Sequence, residues 1–374
     1  MRRAVPRAPA LLRPGSRGRG RQELTVHPTP RKARIHAQNR SGPHFDGNGA
    51  IAVRDHDYRD PGDGELLVSP RANALCGTDR AFYFDGAGHV PGHETAGVVI
   101  GVGPGTTTPV GTRGVVFLMD YCGVCRSCRL GATNQCLDKR ADMGIADDGG
   151  YGPFEIVHET NFFPVTDDIE LPTATMLLDV MGTSSHALGR AALVRPDIES
   201  IYIAGAGPIG IGILLMAKLR YGAGLPVHIS DVSKWRLEFA ESFGGIPVDA
   251  TAPNALATVG RPDVAFDASG KEIARRAALD IIGKRGALVC VGHGETVTVD
   301  VSNDLLEPEH AVLGSEYFRF DELGANLELL RENEDSISRV ITHTFPVDEL
   351  DNAFETFLGG ETGKVVVVQE GTQW

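Results

Sequence analysis

The chain has 374 residues, enough for two domains of ordinary size. Its apolar fraction of 42% and charged fraction of 23% are those of a globular protein, and no run approaches the roughly 18 apolar residues of a membrane span. A formal charge of −13 argues against non-specific nucleic-acid binding, which needs a basic face, so the composition points to a soluble, cytoplasmic protein with a small-molecule partner.

Residues 1–40 carry eleven Arg or Lys against one acid, Glu23, with several prolines and no hydrophobic period. The segment reads as a disordered or mis-assigned extension, with an Arg-rich targeting peptide as the competing reading. From about residue 62 the pattern becomes globular: Pro61-Gly62-Asp63-Gly64 is a turn, and Glu65–Ala72 alternates as a strand does. Residues 92–120 are rich in Gly and Val, the texture of short barrel strands joined by tight turns. After residue 180 the short apolar runs Ile201–Ala204, Val227–Ser230, Val264–Asp267 and Ala287–Val291 alternate with helical stretches at 209–221, 233–243 and 272–284. That alternation predicts βα units and a parallel sheet, an α/β fold. Residues 321–333 read as a further helix and Gly363–Gln369 as a buried strand.

Four of the six cysteines crowd into one short stretch. Cys122, Cys125, Cys128 and Cys136 form C-x2-C-x2-C-x7-C. Zinc takes four soft ligands in a tetrahedron, and two-residue gaps let one loop present three thiolates to one ion. An iron–sulfur cluster is the competing metal reading. With no open coordination position, such a site is structural.

Gly205-Ala206-Gly207-Pro208-Ile209-Gly210 is a G-x-G-x-x-G between the strand at 201–204 and the helix that follows. In that context it reads as a dinucleotide-binding turn, with the helix N-terminus facing the pyrophosphate. Asp231 ends the next strand, where a carboxylate accepts hydrogen bonds from ribose hydroxyls and repels a 2′-phosphate. NAD is therefore the expected cofactor. Lys234 and Arg236 stand close by and keep NADP as the alternative.

Three further segments hold ligand-type residues: Cys76-Gly77-Thr78-Asp79, Gly92-His93-Glu94, and Asp179. Singly each has a bland explanation as a core thiol, a surface pair or a helix cap. Together, in this order ahead of a Rossmann unit, the C-G-T-D, the G-H-E, the four-cysteine lobe and the G-x-G-x-x-G resemble the zinc-containing medium-chain alcohol dehydrogenases. The resemblance runs from about residue 60 to 374. It implies a GroES-like β-barrel catalytic domain at 41–180 and 322–374, interrupted by a doubly wound Rossmann NAD-binding domain at 181–321.

Carried over by position, the resemblance makes Cys76, His93 and Asp179 ligands of a catalytic zinc, with Glu94 an alternate ligand. Thr78 becomes the hydroxyl that hydrogen-bonds the substrate oxygen, and Asp79 the carboxylate that orients His93. Classical members have Cys at the place of Asp179, and the polyol, threonine and glucose branches have Glu. Many relatives carry a proton-relaying His where this chain has Ala81; His89 and His186 are candidate substitutes. The implied protein binds two zinc ions per chain, forms a homodimer or homotetramer through a sheet edge in 287–318, and transfers hydride between a secondary alcohol and NAD(P). A thiolate and a carboxylate nearly cancel the ion's charge, which favours a polyol, sugar or amino alcohol. Two rival readings remain at this point. One is a zinc-free NADPH quinone or enoyl reductase, disfavoured by the cysteine lobe. The other is a non-catalytic member, which Ala81 and Asp179 would permit.

Overall fold

The computed structural model describes residues 39–370. The extension read at 1–40 lies outside these residues, except that Asn39 and Arg40 already open a strand. The globular pattern thus begins some twenty residues earlier than the turn at 61–64 suggests. Strands Asn39–Gly47 and Ala50–Asp57 pair antiparallel as a hairpin. Its tip is Asn48-Gly49, with Asn48 at φ +53°. Asn-Gly is a strong hairpin signal, because both residues tolerate the left-handed backbone that a tight turn needs.

A seven-stranded mixed sheet follows. Its order is Ile341–Pro346, Lys364–Val368, Glu65–Ala74, Thr95–Val102, Arg113–Val116, Phe162–Pro164, with Glu155–His158 paired to the first half of Glu65–Ala74. The long strand Glu65–Ala74 is buried at nearly every position, so it has polar ladder partners on both edges and apolar packing on both faces. The C-terminal strand Lys364–Val368 returns beside it in antiparallel register, Val366 opposite Ala74.

The second sheet has six parallel strands in the order Ile246–Asp249, Val227–Asp231, Ile201–Ala204, Val264–Asp267, Ala287–Cys290, Ala311–Gly314. The strand order reverses beside Ile201–Ala204, and ligands of open α/β sheets bind at that switch point, outside the carboxyl ends of the strands. Helices Pro208–Tyr221, Lys234–Glu241 and Glu272–Ile281 connect the strands. Helix Pro208–Tyr221 is apolar almost all round and buried from Gly210 to Ala217, as expected of a helix covered on several sides.

Between the sheets the chain makes a series of short turns, Leu171–Ala174, Thr175–Leu177 and the π-turn Asp179–Thr183, before helix Ser184–Ala192. Leu177, Val180, Ile211, Ile213 and Phe318 belong to one continuous buried cluster that joins the two sheets. None of the helices among the described residues is long and apolar enough to cross a membrane.

Candidate active site

Strand pairing brings the first two segments together. Asn73 stands opposite Thr95 in the antiparallel ladder, so Cys76, three residues beyond, and His93, two residues before, leave the same end of the pair. Asp179 arrives from the turn between the sheets. Cys76, His93, Glu94 and Asp179 each aim one ligand-type atom into a space where all four lie within 4.8 Å of one another. The Cys76 thiol is 3.1 Å from Asp179 Oδ2, and His93 Nε2 is 3.7 Å from the same oxygen. His93 is 5%, Glu94 0% and Asp179 6% exposed.

The surroundings orient these groups. Asp79 Oδ2 accepts the Cys76 backbone N–H at 3.0 Å and the Tyr151 hydroxyl at 2.7 Å. Its Oδ1 faces His93 Nδ1 at 3.4 Å, which leaves Nε2 free to turn to the cluster. Lys364 forms a buried ion pair with Glu94 Oε1, while Glu94 Oε2 has no hydrogen-bond partner among the described residues. Thr78 is exposed, its hydroxyl 3.8 Å from Cys76 Sγ.

The electrostatics are those of acidic groups buried around one small space. Burial and the Asp179 carboxylate push Glu94 well above the ordinary carboxylate range, against the pull of Lys364 and His93. Burial and Asp179 raise the Cys76 thiol as well. Burial alone would lower His93, yet Cys76, Asp79 and Asp179 raise it well above its usual value. So many buried acidic groups around one space fit a divalent ion, whose charge relieves all of these strains together. The donor set of sulfur, nitrogen and carboxylate oxygen suits zinc.

Cys122, Cys125, Cys128 and Cys136 form a second cluster, with the sulfurs again within 4.8 Å. Here the support is local. Backbone N–H groups point at the sulfurs: Cys125 to Cys122 at 3.3 Å, Cys122 to Cys136 at 3.3 Å, and Leu137 to Cys125 at 3.4 Å. The N–H groups of Cys128 and Leu137 bring the Cys125 thiol down to about 6. Four thiols so placed fit a closed tetrahedral site.

The glycine-rich turn lies at the switch point. A β-carbon on Gly210 would fall 1.9 Å from the Gly205 carbonyl oxygen, so the opening of helix Pro208–Tyr221 can close on the turn only without a side chain there. Gly207 is the last residue before that helix, with Pro208 and Ile209 in its first turn. Asp231 ends its strand and accepts the Ala206 N–H at 2.8 Å and the Ser233 N–H at 2.9 Å. Arg236 is 3.9 Å from Asp231 and donates to the Gly360 carbonyl at 2.9 Å. Lys234 points to solvent, 3.5 Å from Glu238.

The two substitute histidines stand elsewhere. His186 pairs with Glu322 at 3.1 Å and meets Asn134 at 3.4 Å, on the wall of a cavity of about 800 Å³. His89 packs edge-on against Phe82, ring centroids 5.2 Å apart, and burial lowers its pKa. Neither is among the four residues of the cluster.

Several residues escaped the sequence reading. Lys364 hides at the start of an apolar strand; a lysine in such a run was itself the signal. Asp267 ends the strand next to the glycine-rich turn and pairs with buried Arg275 at 2.6 Å. Arg275 also donates to the carbonyls of Gly292 and Glu295, tying down the loop after the next strand. Tyr317, buried, has φ +47°, a conformation that costs a bulky residue about 1–3 kcal/mol.

Comparison with known proteins decides the family. Residues 62–167 match the family described as alcohol dehydrogenase GroES-like domain, and residues 208–332 match zinc-binding dehydrogenase. An L-threonine 3-dehydrogenase of Shewanella halifaxensis is 30% identical over 327 residues, spanning 82% of this chain and 92% of that enzyme. The chain belongs to the zinc-containing medium-chain alcohol dehydrogenases. It is a zinc-dependent oxidoreductase that moves hydride between an alcohol and NAD(P), with a GroES-like part and a Rossmann part. Two solved structures share the fold. The 2R,3R-butanediol dehydrogenase of Bacillus subtilis has a TM-score of 0.77 at 22% identity, covering 88% of this chain and 99% of that one. The alcohol dehydrogenase of Thermus sp. ATN1 has a TM-score of 0.79 at 24% identity, covering 88% and 100%.

Proposed function

We propose that this dehydrogenase oxidises a secondary alcohol flanked by hydroxyl or amino groups, with NAD as hydride acceptor, at the Cys76–His93–Glu94–Asp179 cluster. The carrying observation is the convergence of these four residues, ligand atoms within 4.8 Å, from stretches up to 103 positions apart. In this reading Cys76, His93 and Asp179 hold the catalytic zinc, Glu94 is the alternate ligand, and the four lobe cysteines hold a structural zinc. When bound, the catalytic ion supplies a Lewis acid for the alcohol oxygen and the nicotinamide supplies the hydride acceptor.

The chain's own residues do the rest. Thr78, exposed beside Cys76, hydrogen-bonds the substrate hydroxyl and passes its proton toward solvent, which suits a chain with Ala81 in place of a relay histidine. Asp79 fixes the tautomer of His93. Gly205, Gly207, Pro208, Ile209 and Gly210 cradle the pyrophosphate, and Asp231 takes the ribose hydroxyls. Arg236, held beside Asp231 by the Gly360 carbonyl, faces the same turn. The acidic ligand set would leave a bound ion weakly electrophilic, which suits substrates that add a second polar contact. Relatives named for L-threonine and for butanediol support that preference.

In the same reading residues 41–180 and 322–374 form the catalytic part and 181–321 the cofactor-binding part, a division supported by the separation of the two sheets along the chain. Strand Ala311–Gly314 ends the parallel sheet with one edge unpaired among the described residues, and Val312 on it is exposed. That edge is where a second copy would join to form a homodimer or tetramer. A cytoplasmic location is part of the same proposal. The test is a screen of polyols, sugars, amino alcohols and simple alcohols with NAD and NADP, run beside metal analysis. Two zinc ions per chain and NAD reduction by a vicinal amino alcohol or diol are expected. One zinc per chain, or activity on simple alcohols alone, would overturn the reading.

A further inference from the structure

Asp179 poses a problem of reach. It stands where related branches have glutamate, so its carboxylate sits on an arm one methylene shorter, yet its Oδ2 lies 3.1 Å from Cys76 Sγ and 3.7 Å from His93 Nε2. The backbone around it is irregular. Leu178 has φ −79° and ψ −107°, outside the helical and extended regions, and residues Asp179–Thr183 form a π-turn, wider than an α-helical one.

Two close approaches hold that turn in place. A β-carbon on Gly212 of helix Pro208–Tyr221 would fall 2.2 Å from the Val180 carbonyl oxygen. A β-carbon on Gly182, inside the turn, would fall 2.5 Å from the ring of Phe318. Phe318 is fully buried and is backed edge-on by Phe117, centroids 5.2 Å apart. What aims it is Tyr317, whose left-handed backbone at φ +47° is held while its hydroxyl accepts the Leu118 N–H at 3.4 Å. Strain of this kind persists only where the surroundings over-determine it, and it concentrates at functional sites.

We propose that Phe318 is a positioning residue for the catalytic metal: aimed by Tyr317 and pressed on Gly182, its ring holds the 179–183 turn forward so that an aspartate reaches a site otherwise suited to glutamate. The proposal rests on the zinc reading of the cluster given above. It places the position of a metal ligand under the control of the segment that leaves the last strand of the cofactor sheet. Packing density makes such control effective, because a ring cannot be withdrawn from a close-packed turn without the turn following.

The test uses the full chain, loaded with zinc for chelator competition and with cobalt at the catalytic site for its ligand-field spectrum. Phe318→Ala weakens catalytic-site zinc by about 10- to 100-fold, the range for groups that orient metal ligands, and shifts the cobalt bands, while the four-cysteine zinc stays bound. Asp179→Glu placed on Phe318→Ala restores affinity and spectrum, because the longer arm no longer needs the turn held forward. Asp179→Glu alone gives no gain. Should Phe318→Ala fail to fold, Phe318→Leu gives a smaller loss in the same direction and the same rescue. A purely structural role for Phe318 would lower the melting temperature without moving the cobalt bands and without rescue by Asp179→Glu; that result overturns the proposal. If the unaltered chain holds a single zinc, the zinc reading itself fails and this proposal falls with it. If it holds two and Phe318→Ala leaves affinity unchanged, only the positioning role is lost.

Discussion

The two four-residue clusters are built in opposite ways. The cysteine lobe draws its ligands from positions 122 to 136 of one loop, and neighbouring backbone N–H groups hold the sulfurs. The other cluster draws on residues 76, 93, 94 and 179, and its supports, Lys364 and Tyr151, come from still other parts of the chain. The lobe is half-exposed and uniform in chemistry; the second cluster is mostly buried and mixes thiol, imidazole and carboxylates. A site made of local contacts can be complete by itself and needs nothing from the fold beyond a surface to sit on. A site made of distant contacts exists only while both sheets are packed.

The contrast predicts different consequences of damage. Cys76→Ser or His93→Ala should cut alcohol-dependent NAD(P) reduction by at least about a thousandfold, because several kcal/mol of charge stabilisation goes with the ion. Metal analysis should then return one zinc per chain in place of two. Retention of near-normal turnover would dissolve the distinction between the clusters. In the lobe, Cys125→Ser should instead cost folding stability, more than about 4 kcal/mol as for the loss of other structural metals, while molecules that remain folded turn over normally. Denaturant melts and active-site-normalised rates separate the two effects.

Support from a distance is tested at Lys364. Replacing it by Met strands the buried Glu94 carboxylate and should cost about 3 kcal/mol, with most of it recovered in Lys364→Met combined with Glu94→Gln. If the double variant is no more stable than the single one, the pair is not what holds Glu94. A pH-dependent effect comes from Glu155, 1% exposed on the strand beside Glu65–Ala74, whose carboxyl burial raises from 4.5 to about 8. A raised acid binds its proton more tightly when folded, so this group's contribution is complete below about 4.5 and is lost as pH climbs from there to about 8. Stability of the unaltered chain relative to Glu155→Gln should therefore fall by about 1 kcal/mol per pH unit over that window. Melts of both proteins at pH 5 and pH 8 check the sign; parallel behaviour would mean that Glu155 has the same pKa in the folded and unfolded states.

Much of this molecule is legible without coordinates wherever the physics is local. The strand and helix at Ile201–Ala204 and Pro208–Tyr221, with the glycines between them, follow from periodicity and from turn chemistry that acts over a few residues. The cysteine spacing announces its lobe for the same reason. The hairpin at 39–57 is equally local, with Asn48-Gly49 at its tip as the sequence signal. Cys76, His93 and Asp179 could be named only through resemblance to a family, since nothing in their spacing brings them together; the ladder opposite Asn73 and Thr95 and the turn at 179–183 do that. Arg275 and Phe318 leave no mark in the sequence, and Lys364 shows only as a lysine at the head of an apolar run. A buried charge or ring acquires its meaning from the partner that tertiary packing sets against it, and that partner here lies from 8 to 270 positions away.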